Sequence, residues 1–137
     1  MVINGTLRPY SPGVSLIKEA LKDVKVGRLN VPAGTQLYLS LSAVHCDIDI
    51  WGEDANKFNP ARFKEPRRHL ASFIPFALGP RNCAGQNLAM VEMKTILAMI
   101  IRQYSLEVSS TYVHAPMLYI TLQPQYGVQI LLTRIMK

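Results

Sequence analysis

Apolar residues from Gln86 to Tyr104 recur at the three- and four-residue spacing of an α-helix. One broad face is formed by Ala89, Met93, Ile96, Ile100 and Tyr104 together with Leu88, Val91, Leu97 and Ile101. Only a narrow polar stripe remains for solvent, whereas a surface helix normally shows a wide polar face. The pattern therefore predicts one long helix over residues 86–104 that favours burial on most sides, although the rest of the 137 residues can hardly surround it.

Shorter apolar stretches before this helix are typical of β-structure. Val14–Ala20 and Val24–Val31 are rich in β-formers, and Gln36–Val44 alternates between apolar and polar residues. Residues 1–8 have the pattern of the end of a helix, which Pro9 terminates because proline cannot continue a helix. These stretches predict a small antiparallel sheet that follows a helix end.

The remaining chain divides into a long irregular stretch and a closing hairpin. Residues 47–82 show little periodicity and contain Pro60, Pro66, Pro75 and Pro80. Irregular stretches of this length are uncommon in compact domains and are usually functional. After the long helix, Tyr119–Leu122 and Val128–Thr133 predict two closing strands around Pro124–Gly127. The fold class is therefore α+β.

Length and composition fit one small globular domain. The chain has 137 residues, of which 49% are hydrophobic and 18% charged, so we expect a single domain over residues 1–137 with no room for a second. The longest apolar run, Ile96–Ile101, is far shorter than the ~20 residues of a membrane helix. The first residues also lack the apolar centre of a signal peptide. We therefore expect no membrane anchor or signal in this chain.

Charge and cysteine content exclude several classes of site. The net charge is +6, and the densest basic patch is Arg62, Lys64, Arg67 and Arg68. Glu65 and Pro66 interrupt this patch, which is typical of a solvated loop and not of a nucleic-acid interface. Two cysteines, Cys46 and Cys83, form neither a disulfide framework nor a zinc pattern. A cysteine with chemistry here would act as a single ligand or nucleophile.

The segment from Phe76 to Gly85 leads directly into the predicted helix. Cys83 lies at the helix N-terminus, where unpaired N–H groups and the helix dipole favour a thiolate. Gly79 and Gly85 allow a tight turn and a close approach of the backbone to a flat ligand. Arg81 offers a cation that can bind a carboxylate through two hydrogen bonds, and Phe76 offers an aromatic face. Together these groups suit haem, with its iron, planar ring and two propionates.

The same segment resembles the cysteine-ligand loop of the cytochrome P-450 family. The pattern of that loop is Phe-x-x-Gly-x-Arg-x-Cys-x-Gly, and its five fixed positions are matched here by Phe76, Gly79, Arg81, Cys83 and Gly85. A match at five fixed positions is far more specific than a lone glycine motif. The segment is therefore interpreted as descended from a haem site.

Three further segments resemble the family in the expected order. Trp51–Ala55 followed by Phe58–Phe63 is similar to the family's meander, and Thr6–Arg8 is similar to the end of its Glu-x-x-Arg helix. Tyr119–Val128 resembles the final hairpin of the plant clan that oxidises hormones and terpenoids. The resemblance covers essentially the whole chain, which corresponds to about the last quarter of a full-length member.

The resemblance implies a fold and an activity. The fold would be the C-terminal fragment of the mainly-α cytochrome P-450 fold, with a small antiparallel sheet, an irregular meander and cysteine-ligand loop, one long buried helix and a terminal β-hairpin. The activity would be haem-dependent C–H hydroxylation with O2 and with electrons from NADPH through NADPH–cytochrome reductase. The cofactor would be haem b (iron protoporphyrin IX), the substrate a small lipophilic molecule and the location of full-length members the endoplasmic reticulum membrane. No nucleic-acid partner is implied.

The resemblance also assigns roles to individual residues. Cys83 would be the axial ligand of the haem iron, and Arg81 and His45 would be partners of the haem propionates. His45 alternatively fits a buried strand histidine whose hydrogen bonds are satisfied. Lys18 stands where relatives usually place an arginine for a propionate, but lysine cannot form the two-pronged contact. The turns at residues 13–16 and 118–120 would contact substrate, and no catalytic residue falls within the matched segment.

The chain departs from the family pattern around two arginines. Arg8 and Arg62 would belong to a structural network of a glutamate and two arginines, but Gly5 stands where the pattern has the glutamate. Two buried arginines without that carboxylate would cost several kcal/mol. Pro9 also biases Arg8 away from helical backbone angles.

A second hypothesis from a different class stays open. In the family, the helix that covers the distal face of the haem lies upstream of the segment matched here. We therefore expect the isolated chain to lack monooxygenase activity. The alternative function is a catalytically inactive truncated remnant or an interaction module without haem.

Overall fold

The computed structural model describes residues 1–66 and 69–135, so Arg67 and Arg68 of the basic patch lie outside the described residues. The chain begins with helix α1, Val2–Leu7. Arg8 continues this helix with φ −68° and ψ −64°, and its N–H donates to the carbonyl of Asn4 at 3.1 Å. The expectation that Pro9 moves Arg8 out of helical angles is therefore wrong, because the helical hydrogen bond and the buried side chain hold Arg8 in place.

The predicted sheet forms as two separate antiparallel pairs. Strand β1, Ser15–Glu19, pairs with β4, Gln36–Ser40, so that Ser15 lies opposite Ser40. Strands β2, Val24–Val26, and β3, Leu29–Val31, form a short hairpin. The β-rich stretch over residues 24–31 forms this hairpin because Gly27, with a φ of +59°, turns the chain back.

The strand expected over residues 36–44 ends early, at Ser40. Helix α2, Leu41–His45, follows at once. The hydroxyl of Ser40 accepts the N–H of Ala43 at 3.2 Å, which caps the first turn of α2. His45 therefore ends a helix, and its assignment to a strand is wrong.

The irregular stretch folds into short turns that form the best-buried part of the molecule. It contains helix α3, Ile48–Trp51, and two 3-10 turns, Pro60–Phe63 and Leu70–Ser72. Side-chain oxygens of Asp47 and Asn59 and a ring nitrogen of His69 accept backbone N–H groups at the starts of these elements. The buried residues here and in the adjoining α1 and α2 include Leu7, Arg8, Leu41, His45, Ala55 and Phe73.

A row of aromatic rings holds this region together. The Trp51 ring lies 5.9 Å from the Phe63 ring, and the Phe63 ring lies 4.8 Å from the Phe73 ring. The Phe73 ring is in turn 5.4 Å from the imidazole of His45. Aromatic pairs at these centroid distances pack favourably. The row links α2 and α3 to the segment that precedes the predicted haem loop.

The long helix α4, Gln86–Gln103, ends one residue before the predicted boundary. None of its residues is buried, and Leu88, for example, is 72% exposed. The prediction of a buried helix is therefore wrong for this chain, although the periodicity located the helix correctly. The short strands and turns around α4 are too few to cover an apolar surface that extends around most of the helix.

The C-terminal strands pair differently from the sequence prediction. Strand β5, Tyr104–Val108, follows α4 directly and pairs with β8, Ile130–Arg134. Strands β6, Pro116–Leu118, and β7, Leu122–Pro124, form the terminal hairpin. A hairpin is present, but residues 128–133 are not one of its strands, because the apolar residues of β8 pair across a long chain separation with β5.

Candidate functional site

The loop between Phe73 and α4 is closed by backbone hydrogen bonds. The N–H of Cys83 donates to the carbonyl of Phe76 at 2.9 Å, and the N–H of Asn82 donates to the carbonyl of Gly79 at 3.1 Å. Gly79 has φ +96°, a conformation that glycine adopts without steric cost, and Ala77 has φ +64°. These contacts fix the path of the backbone from Phe76 to Cys83.

Cys83 lies just before the start of α4, and its side chain is exposed. The N–H of Gln86 donates to the carbonyl of Cys83 at 3.3 Å, and Gly85 is the N-cap residue of the helix. Gly85 has φ −85°, so the tight turn does not require glycine there. A Cβ at this position would lie 3.9 Å from the Cys83 sulfur, in ordinary contact. Gly79, and not Gly85, is the residue whose backbone requires glycine.

The thiol of Cys83 faces a cleft of about 500 Å³ between α1, β1, α2 and α4. Leu7, Leu16, Leu41 and Met93 contribute apolar walls, and Arg81 lines the same cleft. A single thiol, an adjacent guanidinium and otherwise largely apolar walls match what a haem requires of its pocket. The residues present therefore fit a haem-thiolate site, with Cys83 as the one thiol among the residues that line the cleft.

The two other predicted propionate partners, Lys18 and His45, lie in different places relative to the cleft. Lys18 is half-buried on β1, two residues after Leu16, so both side chains share the face of the strand that borders the cleft. His45 does not line the cleft. Its imidazole is fully buried, and Nε2 accepts the N–H of Ile74 at 3.0 Å.

His45 instead positions the start of the cysteine loop. The bond to Ile74 holds the segment whose next turn contains Phe76 and Ala77. Because Nε2 accepts, the ring proton lies on Nδ1, which has no hydrogen-bond partner among the described residues. Burial lowers the pKa of His45 below its ordinary value of 6.5, which keeps the ring neutral.

The two arginines of the expected network are both anchored, but differently. Arg62 donates to the carbonyls of Trp51 and Asp54 at 2.6 and 2.8 Å, and it forms an ion pair of 2.5 Å with the Asp54 carboxylate. The hydrogen bond from Arg62 lowers the pKa of Asp54 below its ordinary value. The expectation that Arg62 lacks a carboxylate is therefore wrong.

Arg8 is only 1% exposed and, among the described residues, has no ion-pair partner. Its guanidinium donates to the carbonyls of His45 and Lys57, at 2.5 and 2.8 Å. The guanidinium carbon also lies 5.3 Å from the centre of the Trp51 ring, which gives a cation–π contact. Burial lowers the pKa of Arg8. Carbonyl dipoles and an aromatic face thus stand where the family pattern has a carboxylate.

Gly5 lies within α1 and is buried against the turn that carries Arg62. A Cβ at position 5 would lie 3.0 Å from the Cα of Pro60 and 3.2 Å from the ring of Phe58. These distances leave no room for a larger side chain unless Pro60 moves. The absent glutamate is therefore accommodated by close packing of α1 on Pro60, and not by a cavity.

Sequence reasoning located the thiol and guanidinium of the site but missed Asp54 and the role of Ile74. Asp54 belongs to the meander-like segment, yet no sequence signal says that its carboxylate reaches Arg62. Within residues 1–66 and 69–135, no three His, Cys, Asp or Glu side chains converge as a metal site. In the same ranges, no helix combines the length and hydropathy needed to cross a membrane.

Comparisons of the sequence with a family profile and with curated proteins indicate the same family. A family profile described as "Cytochrome P450" matches residues 1–131. Cytokinin hydroxylase of Arabidopsis thaliana is 47% identical over 134 residues, which cover 96% of this chain and 26% of that protein. Cytochrome P450 734A5 of Oryza sativa subsp. japonica is 44% identical over 136 residues, covering 96% of this chain and 25% of the relative. The chain thus spans about a quarter of the length of these curated relatives.

The fold agrees with these matches. Retinoic acid-bound cyanobacterial CYP120A1 superposes with a TM-score of 0.87 at 24% identity, over 98% of this chain and 32% of that chain. The expected P-450 fold, with its small antiparallel sheets and terminal hairpin, is therefore confirmed. On the profile match and the identity to both plant relatives, the chain belongs to the cytochrome P450 family.

Proposed function

We propose that this chain forms the haem-binding part of a haem-thiolate monooxygenase, with Cys83 as the axial ligand of haem b. The single observation that carries the proposal is the exposed thiol of Cys83 at the start of α4, facing an apolar cleft beside Arg81. The identity of 47% to a cytokinin hydroxylase supports it. When bound, the haem supplies the activation of O2 that C–H hydroxylation requires.

The residues of the chain have distinct tasks in this proposal. Cys83 provides the thiolate ligand, and the hydrogen bond from its backbone N–H to the carbonyl of Phe76 holds its backbone in place. Arg81 binds a propionate through its planar guanidinium, and Lys18 is a second cation on the border of the cleft. Leu7, Leu16 and Met93 exclude water from the ring of the cofactor. His45 holds the loop from behind through Ile74.

For the whole protein we propose hydroxylation of a small lipophilic molecule. The name of the Arabidopsis relative supports this reaction class, as does the resemblance of residues 119–128 to the plant hormone and terpenoid clan. NADPH–cytochrome reductase would supply the electrons, and the net charge of +6 suits an acidic electron donor. The endoplasmic reticulum membrane would be the location of the full-length protein.

The experiment compares the parent chain with Cys83→Ser and, as a matched control, Cys46→Ser. Each protein is mixed with hemin, desalted, reduced and treated with carbon monoxide. The parent and Cys46→Ser are expected to retain haem and to give the difference spectrum of thiolate ligation, because Cys46 lies outside the cleft. Cys83→Ser is expected to lose that spectrum. Equal haem retention and equal spectra in all three proteins would contradict the proposal.

The exposed apolar surface of α4 favours a second candidate function. A chain that leaves Leu88 72% exposed presents an apolar face to another polypeptide, as expected of an interaction module without haem. The desalting experiment separates the two candidates. Loss of all hemin from the parent chain favours the interaction module, whereas retention that depends on Cys83 favours the haem-binding function.

A further inference from the structure

We propose that a second small-ligand site lies between the end of α1 and the terminal hairpin. A pocket of about 330 Å³ is present there, at the lower end of the range for small-molecule sites. None of the residues that line it lines the Cys83 cleft. The site is therefore separate from the proposed haem position and does not depend on haem binding.

The polar wall of this pocket is a histidine between two tyrosines. Nε2 of His114 lies 3.0 Å from the hydroxyl of Tyr10, and Nδ1 lies 2.8 Å from the hydroxyl of Tyr112. The Tyr10 and His114 rings also pack edge to face, with centroids 5.5 Å apart. Residues that are 104 positions apart in the chain thus meet at one point.

Hydrogen counting shows that this cluster has one O–H group without an acceptor inside it. A neutral imidazole has one N–H and one bare nitrogen. Its bare nitrogen accepts the O–H of one tyrosine, and its N–H donates to the oxygen of the other. The O–H of that second tyrosine therefore has no acceptor within the cluster, whichever tautomer His114 adopts. It can donate to an oxygen atom of a bound molecule.

Apart from Thr6 and Gln123, the other lining residues of the pocket are apolar, and none of them carries a formal charge. Pro116, Leu122, Pro124 and Val128 are among its apolar lining residues. No Asp, Glu, Lys or Arg is among its lining residues. A carboxylate ligand would find no fixed cation there, whereas a neutral molecule needs only the single donor. The chemistry fits a small neutral apolar molecule that bears one carbonyl or hydroxyl oxygen.

The site can be tested by NMR on the 137-residue chain. The chain has three histidines, so the His114 ring signals can be assigned by comparison with His114→Gln. The probe is acetophenone, and its partner without the oxygen is ethylbenzene. As acetophenone is added, the ring signals of His114 and the methyl signals of Leu122 and Val128 are expected to shift until the site is saturated. Ethylbenzene should bind about three- to tenfold more weakly, because it lacks the hydrogen bond.

Four tyrosine variants, one of them a double variant, make the test specific. One of the two single variants, Tyr10→Phe or Tyr112→Phe, removes the unpaired O–H. In that variant the affinity for acetophenone is expected to fall to the affinity for ethylbenzene. Tyr119→Phe is the matched control, because Tyr119 is 78% exposed and lies outside the pocket. The Leu122 and Val128 signals report binding even where a variant changes the His114 signals. Equal affinities for both probes, or unchanged binding in the Tyr10→Phe, Tyr112→Phe double variant, would overturn the proposal.

Discussion

Arg8 is the residue whose replacement best tests how the core is held. Its guanidinium joins three segments by donating to the carbonyls of His45 and Lys57 and by covering the ring of Trp51. Arg8→Met keeps most of the buried volume but removes both hydrogen bonds and the cation–π contact. The change therefore isolates the polar contribution of Arg8 from its packing.

The magnitude follows from these contacts. Each carbonyl that loses its donor costs about 1–3 kcal/mol, with the larger value for the buried carbonyl of His45. Loss of the cation–π contact adds about 1 kcal/mol. Removing a buried charge offsets part of this sum, because the guanidinium no longer has to be desolvated. We expect a net decrease of about 2–4 kcal/mol in the free energy of unfolding.

Urea unfolding followed by tryptophan fluorescence measures this change directly. Trp51 is the only tryptophan, and it lies next to Arg8, so its emission reports both the native contact and the unfolding transition. The urea midpoint of Arg8→Met should fall by about 1–2 M at an unchanged slope. The control is Arg28→Met, at an exposed position in the turn between β2 and β3. If both variants unfolded at the parent's midpoint, the role assigned to Arg8 would be refuted.

Of three further predictions, two concern acid sensitivity and one concerns the cysteine loop. Because burial lowers the pKa of His45, the unfolded chain takes up its proton first, so stability is lost as the pH falls below 6.5. In urea titrations His45→Gln should lack this loss. The lowered pKa of Asp54 contributes stability that is present above pH 3.8 and is lost as the pH falls through its folded value, a loss that Asp54→Asn should not show. Gly79→Ala should lower the free energy of unfolding by about 1–2 kcal/mol, because φ is +96° there. Gly13→Ala, where a Cβ meets no atom within 4 Å, should leave it within about 0.5 kcal/mol or raise it slightly, and equal losses in the two variants would contradict the strain at Gly79.

The local sequence pattern was sufficient to predict those elements whose conformation is determined by neighbouring residues in the chain. The periodicity of residues 86–104 located α4 to within one residue at its end, and the β-formers of residues 14–20 located β1. The five-position motif likewise identified Cys83 and Arg81, which the structure brings to one cleft. In each case the signal lies within about twenty consecutive residues.

The missed features depend on contacts between distant segments. The pairing of β5 with β8 joins residues more than twenty positions apart. Neither strand is next to a turn sequence that would indicate this pairing. The helical angles of Arg8 are maintained by carbonyls far along the chain, against the local preference of a residue before proline. The contact of Asp54 with Arg62 and the enclosure of His45 arise in the same way. The sequence pattern alone does not show which residues from distant segments lie close together in space.

The close contact of Gly5 with Pro60 links the amino acids that positions 5 and 60 can hold. Restoring the family's glutamate at position 5 would press its Cβ against backbone atoms that cannot rotate away. A glutamate at position 5 would therefore require the turn at Pro60 to shift by a few tenths of an ångström, so its effect on stability depends on how far that turn can move. An attempt to rebuild the network by protein engineering should therefore vary positions 5 and 60 together.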